Sequence, residues 1–236
     1  MLPLCQPLEP RRLLSATAYH DGNAIVVRGG DGDDYIRATI HKSSLTFTVG
    51  VTVTEPDGTP IPGAFGFDVS EVNRFRFFLG DGDDQLFFHA SSGGSMAPVT
   101  VYGGGGDDHI SVRGMYRTRA YGGAGDDNLW LDASASVKGR HRGVLYGGAG
   151  NDDLTGSGGR DLIVGGDGND RLTGGNRNDV LHGGLGDDTL VAGHGDDLLF
   201  GNAGTDHFVG GTGYDRYADA DSDDDLDFNP RYDVVG

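Results

Sequence analysis

Carboxylates recur at a fixed spacing along this chain. From residue 147 to residue 227 an aspartate returns every ninth residue: Asp152, Asp161, Asp170, Asp179, Asp188, Asp197, Asp206, Asp215 and Asp224. Most of them end a six-residue segment rich in glycine, such as Gly165-Gly166-Asp167-Gly168-Asn169-Asp170. Two places after each aspartate stands a large apolar or aromatic residue: Leu154, Ile163, Leu172, Leu181, Leu190, Leu199, Phe208, Tyr217 and Leu226. Nine aspartates falling in register by chance has a probability on the order of 10⁻⁸, so the repeat is real. Four isolated copies precede it and end at Asp34, Asp84, Asp108 and Asp127. A glycine-rich turn exposes its carbonyl oxygens, and the aspartate adds a carboxylate. Together they are hard oxygen donors of the kind Ca²⁺ prefers, which makes these thirteen aspartates candidate metal ligands.

The elements that must position them follow from the period. In each nonapeptide six residues form a turn and three a short strand whose eighth-place side chain points inward. Two nonapeptides complete one coil of 18 residues, and successive coils stack at about 4.8 Å. Each turn then lies over the turn two repeats earlier, with carbonyls and two carboxylates between them. Turns starting at 79, 103, 122, 147, 165, 183 and 201 are expected to share one edge, and those starting at 156, 174, 192 and 210 a shorter second column. Without ions, stacked carboxylates would repel one another. The nine consecutive repeats offer seven such pairs, and seven divalent ions would bring the formal charge from −18 to about −4. With 44 glycines and 36% hydrophobic residues a conventional thick core is not expected. Ion binding would supply much of the folding free energy, so that folding and binding are one event.

The rest of the chain narrows the function. A net charge of −18 argues against nucleic acid and anionic membrane as partners. No apolar run approaches the length of a membrane span. Cys5 is the single cysteine, which excludes an intrachain disulfide. Residues 24–28, 45–54, 65–67 and 74–78 read as strands, and Pro56-Asp57-Gly58 as a turn. The isolated copies start 50, 24, 19 and 25 residues apart, the last step reaching Gly147. They are read as the same winding with irregular return paths, and the 50-residue step as two coils or a projecting hairpin. Fifth-place acids such as Asp107 and Asp187 are expected to face solvent. All eight histidines are read as solvated surface, and no H-E-x-x-H occurs. The run Gly93-Gly94-Ser95-Met96-Ala97 misses the G-x-S-x-G nucleophile elbow, and Lys42 and Lys138 are the only lysines. Val164, Val191 and Phe200 end strands, either shielding the rim or serving a partner.

The pattern G-G-x-G-x-D-x-U-x resembles the RTX, or hemolysin-type, calcium-binding nonapeptide repeat. The resemblance is continuous over 147–227 and patchy over 29–130. It implies an all-β, right-handed parallel β-roll or β-helix solenoid, several Ca²⁺ ions between stacked turns, export from the cell, and folding on external calcium. Leu8-Glu9-Pro10-Arg11-Arg12-Leu13-Leu14 resembles the LEPRxLL segment of planctomycete surface proteins, although Pro3 and Pro7 break any signal-peptide apolar run. The expected organisation is a targeting-like segment at 1–20, irregular coils at 21–146, a regular roll at 147–227 and a tail at 228–236. Weaker sites are expected where Arg177, Ser157, Asn202 and Ala192 replace glycines. The glycine-free block Asp219–Asp224 either caps the solenoid or holds calcium in a D-x-D-x-D loop. The function expected is a non-catalytic calcium-binding module, extracellular or at the cell surface. Its partners would be calcium and a surface polysaccharide or another surface protein. The alternative is a calcium-dependent polysaccharide lyase or epimerase on the same scaffold.

Overall fold

The computed structural model describes residues 17–21, 23–42, 47–54, 65–68, 72–90, 97–132, 141–218, 224–227 and 234–235. The LEPRxLL segment, Cys5, the turn at 56–58, Ser95, Lys138 and the acidic run 219–223 lie outside them.

Strand β1 (Thr17–Asp21) pairs antiparallel with β2 (Ala24–Arg28), and β3 (Tyr35–Lys42) continues into β4 (Phe47–Thr54) and β5 (Phe65–Asp68). Coils then follow as strand pairs. They are β6 (Arg74–Asp81) with β7 (Gln85–Ala90), β8 (Val99–Gly105) with β9 (His109–Arg113), and β10 (Arg117–Ala124) with β11 (Asn128–Asp132). The next are β12 (Arg142–Ala149) with β13 (Asp153–Thr155), β14 (Leu162–Asp167) with β15 (Arg171–Asn176), and β16 (Val180–Leu185) with β17 (Thr189–His194). The last are β18 (Leu198–Ala203) with β19 (His207–Thr212), β20 (Arg216–Tyr217) with β21 (Asp225–Asp227), and finally β22 (Val234–Val235).

Each coil gives one strand to each of two 11-stranded sheets. The first runs β1-β2-β6-β8-β10-β12-β14-β16-β18-β20-β22 and the second β21-β19-β17-β15-β13-β11-β9-β7-β3-β4-β5. All pairings are parallel except β1 with β2, β3 with β4 and β4 with β5. This is an all-β parallel solenoid, as the nonapeptide period requires. Among the described residues there is no helix, so none is long and apolar enough to cross a membrane.

The 50-residue step is neither two coils nor a projecting hairpin. It is one coil, because β2 pairs with β6 and β3 with β7. The surplus chain adds β4 and β5 antiparallel to the end of the second sheet, while β1 does the same for the first. These additions cover the edges of the first coil, where unpaired backbone groups would recruit another chain.

The core is uneven. In the regular region each coil buries two large side chains, such as Ile163 and Leu172 or Leu181 and Leu190. Strands β6 and β7 instead alternate over their longer spans and bury Phe75, Phe77, Leu79, Leu86, Phe88 and Ala90. The Phe75 and Phe77 rings lie 5.3 and 5.2 Å from that of Phe88. A thick core therefore does form in the N-terminal coils, contrary to what composition suggests, because the lead-in residues before each isolated repeat extend the strand inward-facing pattern.

Candidate functional site

The turns between the sheets need backbone angles that side chains resist. In the turn 165–170, Gly166 has φ +135° and Gly168 φ +128°, and Gly184 and Gly186 repeat this one coil on. Register places Gly80, Gly104, Gly123, Gly148, Gly166, Gly184 and Asn202 above one another. This is the long column, and Asp34 and Asp224 extend it at its two ends. Gly175, Gly193 and Gly211 stack on the other edge and make the short column with Ser157.

Each column is held by a zipper of aspartates. In the long column the N–H of Asp34 donates to Asp84 Oδ1, Asp84 to Asp108, Asp108 to Asp127, and Asp127 to Asp152, at 2.6–2.9 Å. Asp152, Asp170, Asp188 and Asp206 continue it to Asp224 at 2.8–2.9 Å. In the short column Asp161, Asp179 and Asp197 donate in the same sense to Asp179, Asp197 and Asp215 at 2.7–3.0 Å. The thirteen candidates thus fall into one row of nine and one of four. A second zipper runs the opposite way. The exposed fifth-place side chains of Asp83, Asp107, Asp126 and Asp187 accept from the fifth-place N–H of the next coil at 2.7–2.9 Å. These acids do face solvent, but they also tie coil to coil.

The zipper uses one carboxylate oxygen and leaves the other. Oδ2 of Asp84, Asp108, Asp127, Asp152, Asp170, Asp179, Asp188 and Asp197, and Oδ1 of Asp34, are buried with no hydrogen-bond donor. Burial pushes Asp84, Asp108, Asp152 and Asp188 up to about 7, Asp127 and Asp197 to about 6, and Asp179 to about 8. The zipper hydrogen bond opposes the rise, and neighbouring carboxylates add to it. A buried, unpartnered carboxylate oxygen is costly unless a cation meets it. The surroundings fit one. A Cβ on Gly165 would fall onto Asp170 Oδ2 and come within 2.7 Å of the Gly183 carbonyl, so both oxygens border one small space beside the glycine. Gly147 and Gly183 stand the same way. Among the described residues no three acidic, His or Cys side chains converge on one point. The donor set is therefore carboxylates completed by backbone carbonyls, which suits Ca²⁺.

The pattern that defines the RTX calcium-binding nonapeptide repeat (4 copies) matches residues 26–39, 99–113, 119–135, 146–181, 164–199 and 182–217. Those matches cover half of the 236 residues. The chain belongs to the RTX calcium-binding nonapeptide repeat family. Calcium binding by this RTX roll follows from that membership and from the donor set. No curated protein matches the chain.

The RTX turns that depart from the consensus behave differently from one another. Arg177 and Asn202 hold φ of 74° and 75°, in the left-handed well open to side chains, where the glycines of the column sit farther out. The turn at 156–161 changes character. Ser157 gives its N–H and its hydroxyl to Asp161 Oδ2 at 2.6 and 2.8 Å, and Gly143 N–H donates to Oδ1 at 2.5 Å. His141 Nδ1 lies 2.6 Å from Ser157 Oγ, and since that hydroxyl hydrogen goes to Asp161, the imidazole is the donor. Burial raises the Asp161 carboxyl, but His141, whose Nδ1 lies 3.9 Å from Oδ1 and bonds through Ser157, and the hydrogen bonds from Ser157 and Gly143 outweigh it and hold it below the usual range. His141 is itself 3% exposed, which corrects the reading of every histidine as solvated surface. Its role had no signal in the sequence, because it precedes the regular repeat and meets Ser157 only through the coil. The described His89, His109, His182, His194 and His207 are half-buried or exposed. On the rim, His182 and Phe200 stack at 4.3 Å beside Val164, while Val191 lies on the other sheet.

Proposed function

We propose that this RTX roll is an extracellular or cell-surface structural and adhesive module, without catalytic activity, whose folding is driven by calcium. The observation that carries it is the column of buried carboxylate oxygens with no donor. Bound calcium supplies the positive charge that lets them ionise without leaving the interior. The aspartates would hold ions between successive coils, from Asp34 to Asp224 in the long column and from Asp179 to Asp215 in the short one. Both oxygens of Asp161 already accept hydrogen bonds, so it serves as a protein-built cap instead. Extracellular calcium modules bind at roughly 10⁻⁴–10⁻³ M, a range met outside cells, which supports export and surface residence. A surface polysaccharide or another surface protein is the partner such a module would join.

Far-ultraviolet circular dichroism with and without chelator tests this. The strand signal is expected to fall with EDTA, return with millimolar Ca²⁺, and return poorly with Mg²⁺, which demands a regular octahedron and keeps its water. Strand signal in the regular region that survives chelation at neutral pH would overturn the reading.

A further inference from the structure

Aromatic side chains line the outer faces of both sheets, but in two different ways. On the first sheet Phe78, Tyr102, Tyr121 and Tyr146 stand in register on β6, β8, β10 and β12. Their rings stack at 5.0–5.1 Å with planes within 9° of parallel. Such a ladder is filled by its own rungs. On the second sheet the corresponding row reads Arg37, Phe87, Ser111 and Trp130 across β3, β7, β9 and β11. Here a serine stands where a ring would complete the ladder. Phe87 and Trp130 are two strands apart, about 9.6 Å, with Ser111 as the floor between them.

The gap is part of a groove of about 380 Å³, within the range of small-ligand sites, roughly 300–1,000 Å³. A ring placed in it would lie about 4.8 Å from each wall. Planar rings already stack at 5.0–5.1 Å on the first sheet, so a sugar ring presenting its C–H faces to the two walls fits the same spacing. The polar lining then selects charge. Arg37, His89, His109 and Arg113 surround the gap, and no residue lining the groove is acidic, in a chain of net charge −18. Arg113 Nε is held 2.8 Å from Asp132 Oδ2, which fixes the guanidinium beside the opening while it stays about half exposed. His109 lies against the Phe87 ring at 5.3 Å.

We infer that this groove binds an acidic sugar of a polysaccharide: one uronate pyranose between Phe87 and Trp130 over Ser111, its carboxylate facing the arginine and histidine rim. The floor residues His109, Ser111 and Arg113 follow one another along β9, so the groove lets a glycan pass along the strand. The inference rests on the proposed module reading only in requiring a calcium-loaded, folded roll. It names the class of glycan such a module would grip.

Trp130 is the only tryptophan in the chain, so its fluorescence reports on this groove alone. The full-length protein at saturating calcium would be titrated with tetragalacturonate and, separately, with neutral maltotetraose. Circular dichroism would be recorded on the same samples. A saturable fluorescence change with tetragalacturonate, at least tenfold weaker with maltotetraose, is expected. Ser111→Phe, which supplies the missing rung, should abolish it, and Arg113→Gln should weaken it about tenfold; both variants must show the parental strand signal to be scored. The arginine variant guards against a misfolded phenylalanine variant. Intact strand signal with no saturable response, an equal response to the neutral sugar, or unchanged binding by folded Ser111→Phe would overturn the site. Loss of strand signal at saturating calcium would instead count against the calcium-folded reading.

Discussion

Each repeat aspartate has two oxygens with two jobs, and substitution can separate them. Asp188 accepts the Asp170 N–H through Oδ1 and leaves Oδ2 without a donor. Asp188→Asn keeps an acceptor but removes the charge, so it should raise the calcium midpoint for folding severalfold. Asp188→Ala also strands a buried N–H, a cost of about 1–3 kcal/mol, and should raise the midpoint further. Asp224, half-buried at the column end and preceded by the glycine-free sequence Asp219–Asp223, should give a much smaller shift when changed to Asn. Calcium titrations followed by circular dichroism would compare the three; equal shifts for Asp188→Asn and Asp224→Asn would refute the stacking of sites. Arg177 offers the opposite case. A side chain in the left-handed region costs about 1–2 kcal/mol, so Arg177→Gly should stabilise the calcium-loaded roll by about 1 kcal/mol, read as a raised melting temperature. The aspartates were legible in the sequence because nine of them share one period. His141 was not, since its partners Ser157 and Asp161 are brought to it by coil geometry that no local pattern records.

A column of such turns carries charges that titrate together. Asp34, Asp84, Asp108, Asp127, Asp152, Asp170 and Asp188 in the long column and Asp179 and Asp197 in the short one are raised by burial, several of them to about 7. In the unfolded chain the same groups titrate near 3.9. Between those values the folded, calcium-free roll binds more protons than the unfolded chain, so its stability falls as pH rises. Calcium-free protein is thus expected to keep more strand signal at pH 5 than at pH 7.5. Protons and calcium compete for the same oxygens, so the affinity of the folded roll for calcium, measured by isothermal titration calorimetry, should fall as pH drops from 7.5 to 5.5. A chelated roll that gains strand signal on going from pH 5 to 7.5 would contradict this. The columns themselves were readable from the spacing, because coils of 18 residues and isolated repeats one coil apart leave little choice of edge. The step from residue 29 to 79 was not readable. An insertion of two antiparallel strands and an extra parallel coil share the same β-branched and aromatic composition, and only the pairing of β3 with both β4 and β7 distinguishes them.

Across the whole molecule the same two sheets are held by different forces at their two ends. In β6 and β7 six buried apolar side chains, three of them phenylalanines, close one coil, while β14 and β15 close theirs with Ile163 and Leu172. Apolar burial is worth roughly 1.5–3 kcal/mol for each large side chain, so the N-terminal coils owe less of their stability to ions. The unpartnered carboxylate oxygens, by contrast, run through both halves. In a solenoid each coil feels only its neighbours, and stability need not be lost everywhere at once. Chelation at pH 7.5 is therefore expected to release the regular region first. Amide hydrogen exchange after EDTA should show β15 to β19 exchanging at least tenfold faster than β6 to β9. Restored calcium should protect both. Loss of protection at the same rate from end to end would mean that the thick core and the ion columns form a single cooperative unit, and that the apolar coils cannot stand without calcium in the rest of the roll.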